Sequence, residues 1–227
     1  MDNLVIYGTG ALARSIVLYN ERYRLFNVKC FIDDNMLAGE SFMGFSVLHY
    51  GEYQQITPQS VNSLDDTDTK DYFLVTIGYT RANTLRAAVC NRLKADGYHL
   101  ANFISPGSNC WSDTIKGENI LVFDNAFVGI GCELHDGVII SEGVTLSHDV
   151  IVEPYCFFSD AVAVGGHACI GRNSFLGLNS TIKSNTRLGP FNIVGCAANV
   201  LRDTEPDCVA VGNPARCRRV DPMKVQI

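Results

Sequence analysis

Apolar residues recur at every sixth position from Val122 to the end of the chain's long middle section. Val122, Val128, Leu134, Ile140, Leu146, Val152, Phe158, Val164, Ile170, Leu176, Ile182, Leu188, Val194 and Val200 are all apolar. With 47% of residues apolar, a fixed reading frame does this by chance on the order of once in 10⁵. Four residues after each comes a small or modest side chain, from Ala126, Cys132 and Val138 to Asn192 and Ala198. A period of six suits neither a 3.6-residue helix nor a plain alternating strand. It suits a prism with three faces of short parallel strands, in which each hexad supplies one face and one corner and a coil takes about 18 residues. The large aliphatics then point to the axis, each contributing roughly 1.5–3 kcal/mol on burial, and the small residues fit the corners. A single coil encloses no core, so the coils stand only as a stack. The period leaves the winding hand open.

The first hundred residues have a different grammar. "NLVIYGTGALARSIVLYN" reads as a strand at Leu4–Tyr7, a glycine turn, and a helix with Ala11, Leu12, Ile16 and Val17 on one side. A second strand, "VKCFIDD", ends in Asp33 and Asp34, and a third spans Tyr72–Gly78, after a polar loop over Ser60–Asp71. A helical stretch follows from Arg81 to Ala95. This is a βαβ nucleotide-binding pattern. Proline, glycine and serine cluster between Ile104 and Asp113, which places a βαβ domain over residues 1–105 and the repeat domain over 106–227. Gly8-Thr9-Gly10-Ala11-Leu12-Ala13 has the outline GxGxxA, with acids about two dozen residues on. Too few strands precede the repeat for a two-halved dinucleotide fold. A half-sized domain still offers the N–H groups of a helix N-terminus to a phosphate, and Asp33 or Asp34 to a base or ribose.

Bulk properties exclude several classes. A net charge of −6 argues against a nucleic-acid partner. No run approaches the ~18 apolar residues of a membrane span, and "MDNLVIYGTG" lacks the basic start of a secretory signal. Nine cysteines without a CxxC pair fit reduced thiols in a cytoplasmic protein better than a disulfide framework.

One polar pair interrupts the repeat. In "EGVTLSHDVIVEPYCFFSD", His148 falls two places after Leu146, at a hexad position free to face out beside a corner. Steps of 18 residues from it reach Gly166, Ser184 and Arg202, so the four should stack along one edge. Gly166, without a Cβ, lets a reacting group approach its backbone N–H. Cations gather in the last coils and tail: Lys183, Arg187, Arg202, Arg216, Arg218, Arg219 and Lys224.

The hexads, together with the closing "VAVGNPARCRRV" from Val209 to Val220, resemble the hexapeptide-repeat acyltransferases. The pairing with a small N-terminal domain resembles, over nearly the full length, sugar acyltransferases of the sialic acid O-acetyltransferase type, which include N-acetyltransferases of nucleotide-linked amino sugars. "FIDD", "SHDVIV" and "VGNPAR" match their acidic pair, catalytic-histidine segment and CoA-proximal end. The resemblance implies a half-Rossmann-like domain followed by a left-handed parallel β-helix, a homotrimer, and acetyl-CoA as co-substrate without a metal. It implies His148 as general base with Asp149 beside it. It implies acetyl-CoA contacts at Gly166, Ser184, Arg202, Gly212, Pro214 and Arg216, and nucleotide-sugar contacts at Gly8, Gly10, Asp33, Asp34, Gly78 and Tyr79. An imidazole, ordinarily titrating near 6.5, is mostly neutral and able to accept a proton at neutral pH. The implied reaction is N-acetylation of a nucleotide-linked amino sugar by direct attack. O-acetylation of a sugar hydroxyl, or a non-catalytic trimeric scaffold, are the alternatives.

Two features depart from that family. The first loop is "GTGALA" where relatives carry G-x-x-G-H-G, and Phe157 stands where several carry a second histidine. A zinc site from His135, His148 and His167 is not expected: the close histidine pair of γ-class carbonic anhydrases is absent, and the three occupy different hexad positions.

Overall fold

The structure, a computed structural model, describes residues 1–36, 39–57 and 71–225. The polar loop expected over Ser60–Asp71 lies outside the described residues except for Asp71. The chain forms two compact units, Met1–Gly78 with Ala88–Ala101, and Tyr79–Ala87 with Asn102–Ile227.

In the first unit, β1 (Asn3–Tyr7), β2 (Asn27–Ile32), β3 (Ser41–Phe42), β4 (Phe45–Leu48), β5 (Asp71–Val75) and β6 (His99–Leu100) form one sheet in the order β3-β4-β2-β1-β5-β6. All pairings are parallel except the β3–β4 hairpin. Leu4, Val5, Ile6, Phe31, Ile32, Phe73, Leu74 and Val75 are buried, as central parallel strands require. Helix α1 (Ala11–Tyr23) starts directly after the glycine turn, with Gly10 at its N-cap. Gly8 has φ +108° and a Cβ there would lie 3.2 Å from Thr76 Oγ1, so both conformation and space select glycine. Helix α2 covers Tyr50–Ile56. Helix α3 runs Thr84–Ala95 rather than from Arg81, with Thr84–Ala87 in the second unit and the rest in the first. Arg81, Ala82 and Asn83 all have positive φ, a left-handed turn that no right-handed helix accommodates.

The second unit is a left-handed parallel β-helix. Up to Val200 its two-residue strands pair along each face with strands 18 residues away: Phe127 with Thr145 on one, Glu133 with Ile151 on the next, Ile139 with Phe157 on the third; the last pairing, Ile193 with Val209, is offset by 16. All fourteen apolar hexad residues are buried, as are the small residues four positions on. The corners explain the rest of the pattern. Every sixth residue there adopts a left-handed conformation: Gly131, Gly137, Gly143, Asp149, Tyr155, Ala161, His167, Asn173, Asn179 and Asn185. Glycine, asparagine and aspartate tolerate that region best, which accounts for most of the set. The stack ends in an antiparallel pair, Cys208–Val211 with Arg216–Arg219, on the face of Ile193–Val194.

Candidate active site

His148 and Asp149 form the corner between the strands Thr145–Leu146 and Ile151–Val152. Backbone bonds tie this corner to its neighbours. Asp149 N–H donates to Ile130 O at 2.9 Å, His167 N–H to His148 O at 3.1 Å, and Asn185 N–H to Gly166 O at 2.9 Å. Leu146 therefore lies over Val164, Ile182 and Val200 in turn. His148, Gly166, Ser184 and Arg202 follow these at a constant offset, along one edge.

The His148 ring is about half exposed and faces away from the prism axis; its Nδ1 lies 2.8 Å from Asp149 Oδ2. Adjacent side chains often diverge. These converge because Asp149 is in the left-handed region, φ 56°, which turns its carboxylate back towards its predecessor. Two glycines make the room. A Cβ on Gly131, one coil away, would sit 2.2 Å from Asp149 Oδ1, and a Cβ on Gly166 would sit 2.7 Å from His148 Nε2. With Nδ1–H donated to Asp149, Nε2 carries the lone pair. Gly166 N–H donates to no acceptor among the described residues.

His167 also joins this corner. Its ring meets that of His148 edge-on at 4.9 Å between centroids, and its Nε2 is 3.8 Å from Asp149 Oδ2. Different hexad positions thus did not keep these two histidines apart, because 19 residues is one coil plus one. His135 instead sits 3.5 Å from Glu133. Gly131 went unmarked in the sequence, and His167 was considered there only as a zinc ligand and set aside; 18-residue steps from Asp149 find both.

No nearby thiol is an activated nucleophile. Cys132 is buried with Sγ 2.8 Å from Ser147 O, and burial raises its pKa. Burial pushes Cys156 up to about 12. At the end of the stack, Arg202 and Pro214 line one groove of about 430 Å³ with Leu201, Asp203, Ala215 and Cys217. Ser184, Gly212 and Arg216 are exposed and not in it.

In the first unit, Gly8, Gly10, Asp33, Asp34 and Gly78 gather at the C-terminal ends of β1, β2 and β5, where open α/β sheets bind ligands. Nothing lies within 4 Å of a Cβ built on Gly10, and the first turn of α1 has no acidic residue. Asp33 accepts from Thr9 Oγ1 at 2.6 Å and from Asn35 N–H at 2.9 Å. Thr9 was a further residue the motif alone did not mark. Asp34 accepts from Tyr7 Oη at 2.5 Å and Tyr50 N–H at 2.8 Å, with Arg92 at 3.5 Å. Burial alone would raise the Asp34 pKa; these partners hold it below the usual value. Burial and the Asp34 bond push Tyr7 up to about 12. Tyr79 belongs to the second unit. Its ring is 4.5 Å from Phe175, which stacks on Phe157. Its buried hydroxyl has no partner among the described residues, and burial pushes it to about 12.

No protein-family model matches the chain. Among curated proteins it is similar to the serine acetyltransferase of Synechococcus elongatus, 29% identical over 114 residues, 41% of this chain and 47% of that protein. It is also similar to a putative serine acetyltransferase of Schizosaccharomyces pombe, 24% identical over 53% of this chain and 50% of that protein. The chain spans about half the length of the curated relatives it matches. Solved structures match much more of it. The acetyltransferase domain of PglB from Neisseria gonorrhoeae covers 96% of this chain and 100% of its own, at 23% identity and TM-score 0.81, and has also been solved with acetyl coenzyme A. PerB from Caulobacter crescentus, in complex with CoA and GDP-perosamine, covers 96% of this chain and 98% of its own, at 22% identity and TM-score 0.80. The expected resemblance to hexapeptide-repeat acyltransferases is thus borne out, and the two-part fold with it. Among the described residues no helix is long and apolar enough to cross a membrane.

Proposed function

We propose that the chain is an acetyl-CoA-dependent N-acetyltransferase that acts on the amino group of a nucleotide-linked amino sugar. The observation that carries this is the His148–Asp149 pair, Nδ1 to Oδ2 at 2.8 Å, with Nε2 beside the backbone of Gly166. Asp149 accepts Nδ1–H and fixes the tautomer whose Nε2 accepts a proton. The sugar amine attacks the thioester carbonyl and a C–N bond forms. The nitrogen becomes acidic and its proton passes to Nε2, a contribution of about 10²–10⁴-fold. The Gly166 N–H stabilises the oxyanion. Collapse breaks the C–S bond, and the imidazolium returns its proton to the departing CoA thiolate. No acyl-enzyme is needed, and Cys132, whose Sγ reaches Ser147 O on this edge, is buried.

Acetyl-CoA would lie along the edge from Gly166 past Ser184 to Arg202, three coils or roughly 14 Å from His148 at the ~4.8 Å strand spacing. Arg202, Gly212, Pro214 and Arg216 would receive its phosphates and adenosine end. The nucleotide sugar would be held in the first unit by the open N-terminus of α1 behind Gly8 and Gly10, by Asp33 and Asp34, and by Gly78; Tyr79, expected with them, lies in the second unit. The bound acetyl coenzyme A and GDP-perosamine of the PglB and PerB structures support both ligand classes. A cytoplasmic homotrimer is the assembly in which we place the reaction.

A mass-spectrometric screen of nucleotide amino sugars and their hydroxy counterparts with acetyl-CoA tests this. Acetylated amine is expected, and His148→Ala should lower kcat about 10²-fold or more while the fold persists. Acetylation of hydroxy sugars alone would favour O-transfer. No product from any acceptor would leave the scaffold, and a His148→Ala variant at wild-type rate would overturn the mechanism.

A further inference from the structure

We propose that His148 Nδ1, Asp149 Oδ2 and His167 Nε2 form a site for a borderline transition-metal dication such as Zn²⁺, and that its occupancy switches His148 off as a base. The inhibitory half rests on the function proposed above; the binding half does not.

The three ligand atoms lie within 4.8 Å of one another, with 2.8 Å and 3.8 Å separating the carboxylate oxygen from the two ring nitrogens. Zn²⁺ bound at about 2.0–2.2 Å in a tetrahedron holds its ligands roughly 3.4 Å apart. Those spacings straddle that value. All three side chains are about half exposed, so an ion can reach them and side-chain rotation alone can close the set. Two imidazoles and one carboxylate suit zinc, cobalt or nickel, whereas calcium and magnesium prefer all-oxygen sites. The fold makes the arrangement rigid at its base. Asp149 and His167 are both left-handed corner residues, φ 56° and 58°, one coil apart on stacked corners, and His148 precedes the first of them. One tetrahedral position stays open for water.

The consequence for His148 follows from its tautomers. Without metal, Nδ1–H points to Asp149 and Nε2 holds the lone pair. A metal bound at Nδ1 uses the lone pair there, so the neutral ring carries its single proton on Nε2. Nε2 then donates instead of accepting. The proton moves from Nδ1 to Nε2 through solvent, and nothing is oxidised or reduced.

The test uses Co²⁺ as a spectroscopic probe and Zn²⁺ as competitor on the full chain. His167→Asn is the informative variant, because asparagine already occupies such corners at Asn173, Asn179 and Asn185. One Co²⁺ per chain is expected, with ligand-field bands and no thiolate charge transfer, which would betray the exposed Cys196 or Cys217. His167→Asn and His148→Ala should each weaken binding about tenfold or more. Zn²⁺ should inhibit acetyl transfer in step with occupancy, reversibly by chelator, at about tenfold higher concentration in His167→Asn. Equal binding by His167→Asn, or a thiolate spectrum, overturns the site. Binding with undiminished turnover overturns the inhibitory half. Binding in a protein that acetylates nothing supports the site and removes the function proposed above.

Discussion

Replacing Gly166 with alanine separates the position of the base from the integrity of the coil. The new Cβ would lie 2.7 Å from His148 Nε2, 2.8 Å from Cε1 and 3.1 Å from Cδ2. An ordinary carbon contact is about 3.5 Å, so the ring must move by roughly 0.8 Å. It can, because it is an exposed side chain rather than backbone, and the expected stability cost is that of a strained rotamer, about 0.5–1.5 kcal/mol. The backbone at Gly166 does not need positive φ, so alanine adds no strain there. A misplacement near 1 Å can cost about 10²-fold in rate, which is about 2.7 kcal/mol of barrier. Gly171→Ala is the contrast. Its Cβ would lie 2.6 Å from the Gly189 carbonyl carbon and Pro190 N, backbone atoms that cannot swing away, and it should lose about 3 kcal/mol of stability. Thiol release from CoA gives kcat, and thermal melting gives stability. Gly166→Ala should lose kcat with a nearly unchanged melt; Gly171→Ala should lose the melt. A Gly166→Ala enzyme at wild-type rate would show that the ring's place beside Gly166 is irrelevant to turnover.

Three other outcomes follow from groups away from that edge. Asp71 accepts from Lys29 at 2.6 Å, Tyr53 at 2.8 Å and Asn3 at 2.9 Å; burial opposes ionisation, yet these partners hold its pKa below the usual value. Its stabilisation should therefore be complete above the unfolded value of about 3.9 and disappear as pH falls through the folded value, so Asp71→Asn should flatten the acid limb of a denaturation-versus-pH series. Arg86 is fully buried and donates to Gly137 O at 3.0 Å and Tyr155 O at 3.1 Å, so Arg86→Ala should cost about 3 kcal/mol or more in chemical denaturation. Of nine free cysteines only Cys196 and Cys217 are exposed, and burial pushes Cys30 and Cys110 to about 11; a disulfide reagent on the native chain should label at most two thiols quickly, and all nine after unfolding.

The repeat was legible because its period is a backbone property: each buried aliphatic and each corner residue occupies the same environment as its neighbour 18 residues away, so one error would have broken the frame. The same regularity carried His148 to the outside of the prism without any reference to a partner. What the hexad count could not supply was the meeting of side chains across a corner. That Asp149 turns back onto His148 depends on a left-handed φ, and that both fit depends on two missing Cβ atoms, at Gly131 and Gly166. Residue type at one position does not reveal what stands one coil away. His167 shows the same limit from the other side. Judged by hexad position it is unrelated to His148, yet stacked corners bring residue i+19 beside residue i, and the two rings meet. In the first unit the strands and the glycine turn were legible from hydrophobic runs; the start of α3, which lies in the second unit, was not. Three successive positive φ values at Arg81, Ala82 and Asn83 go against the preference of each residue, and tertiary bonds from Asn83 Nδ2 to Asn173 O and from Asn173 Nδ2 to Ala82 O accompany that turn. Where a conformation is chosen by a partner 90 residues away, local propensity has no means of signalling it.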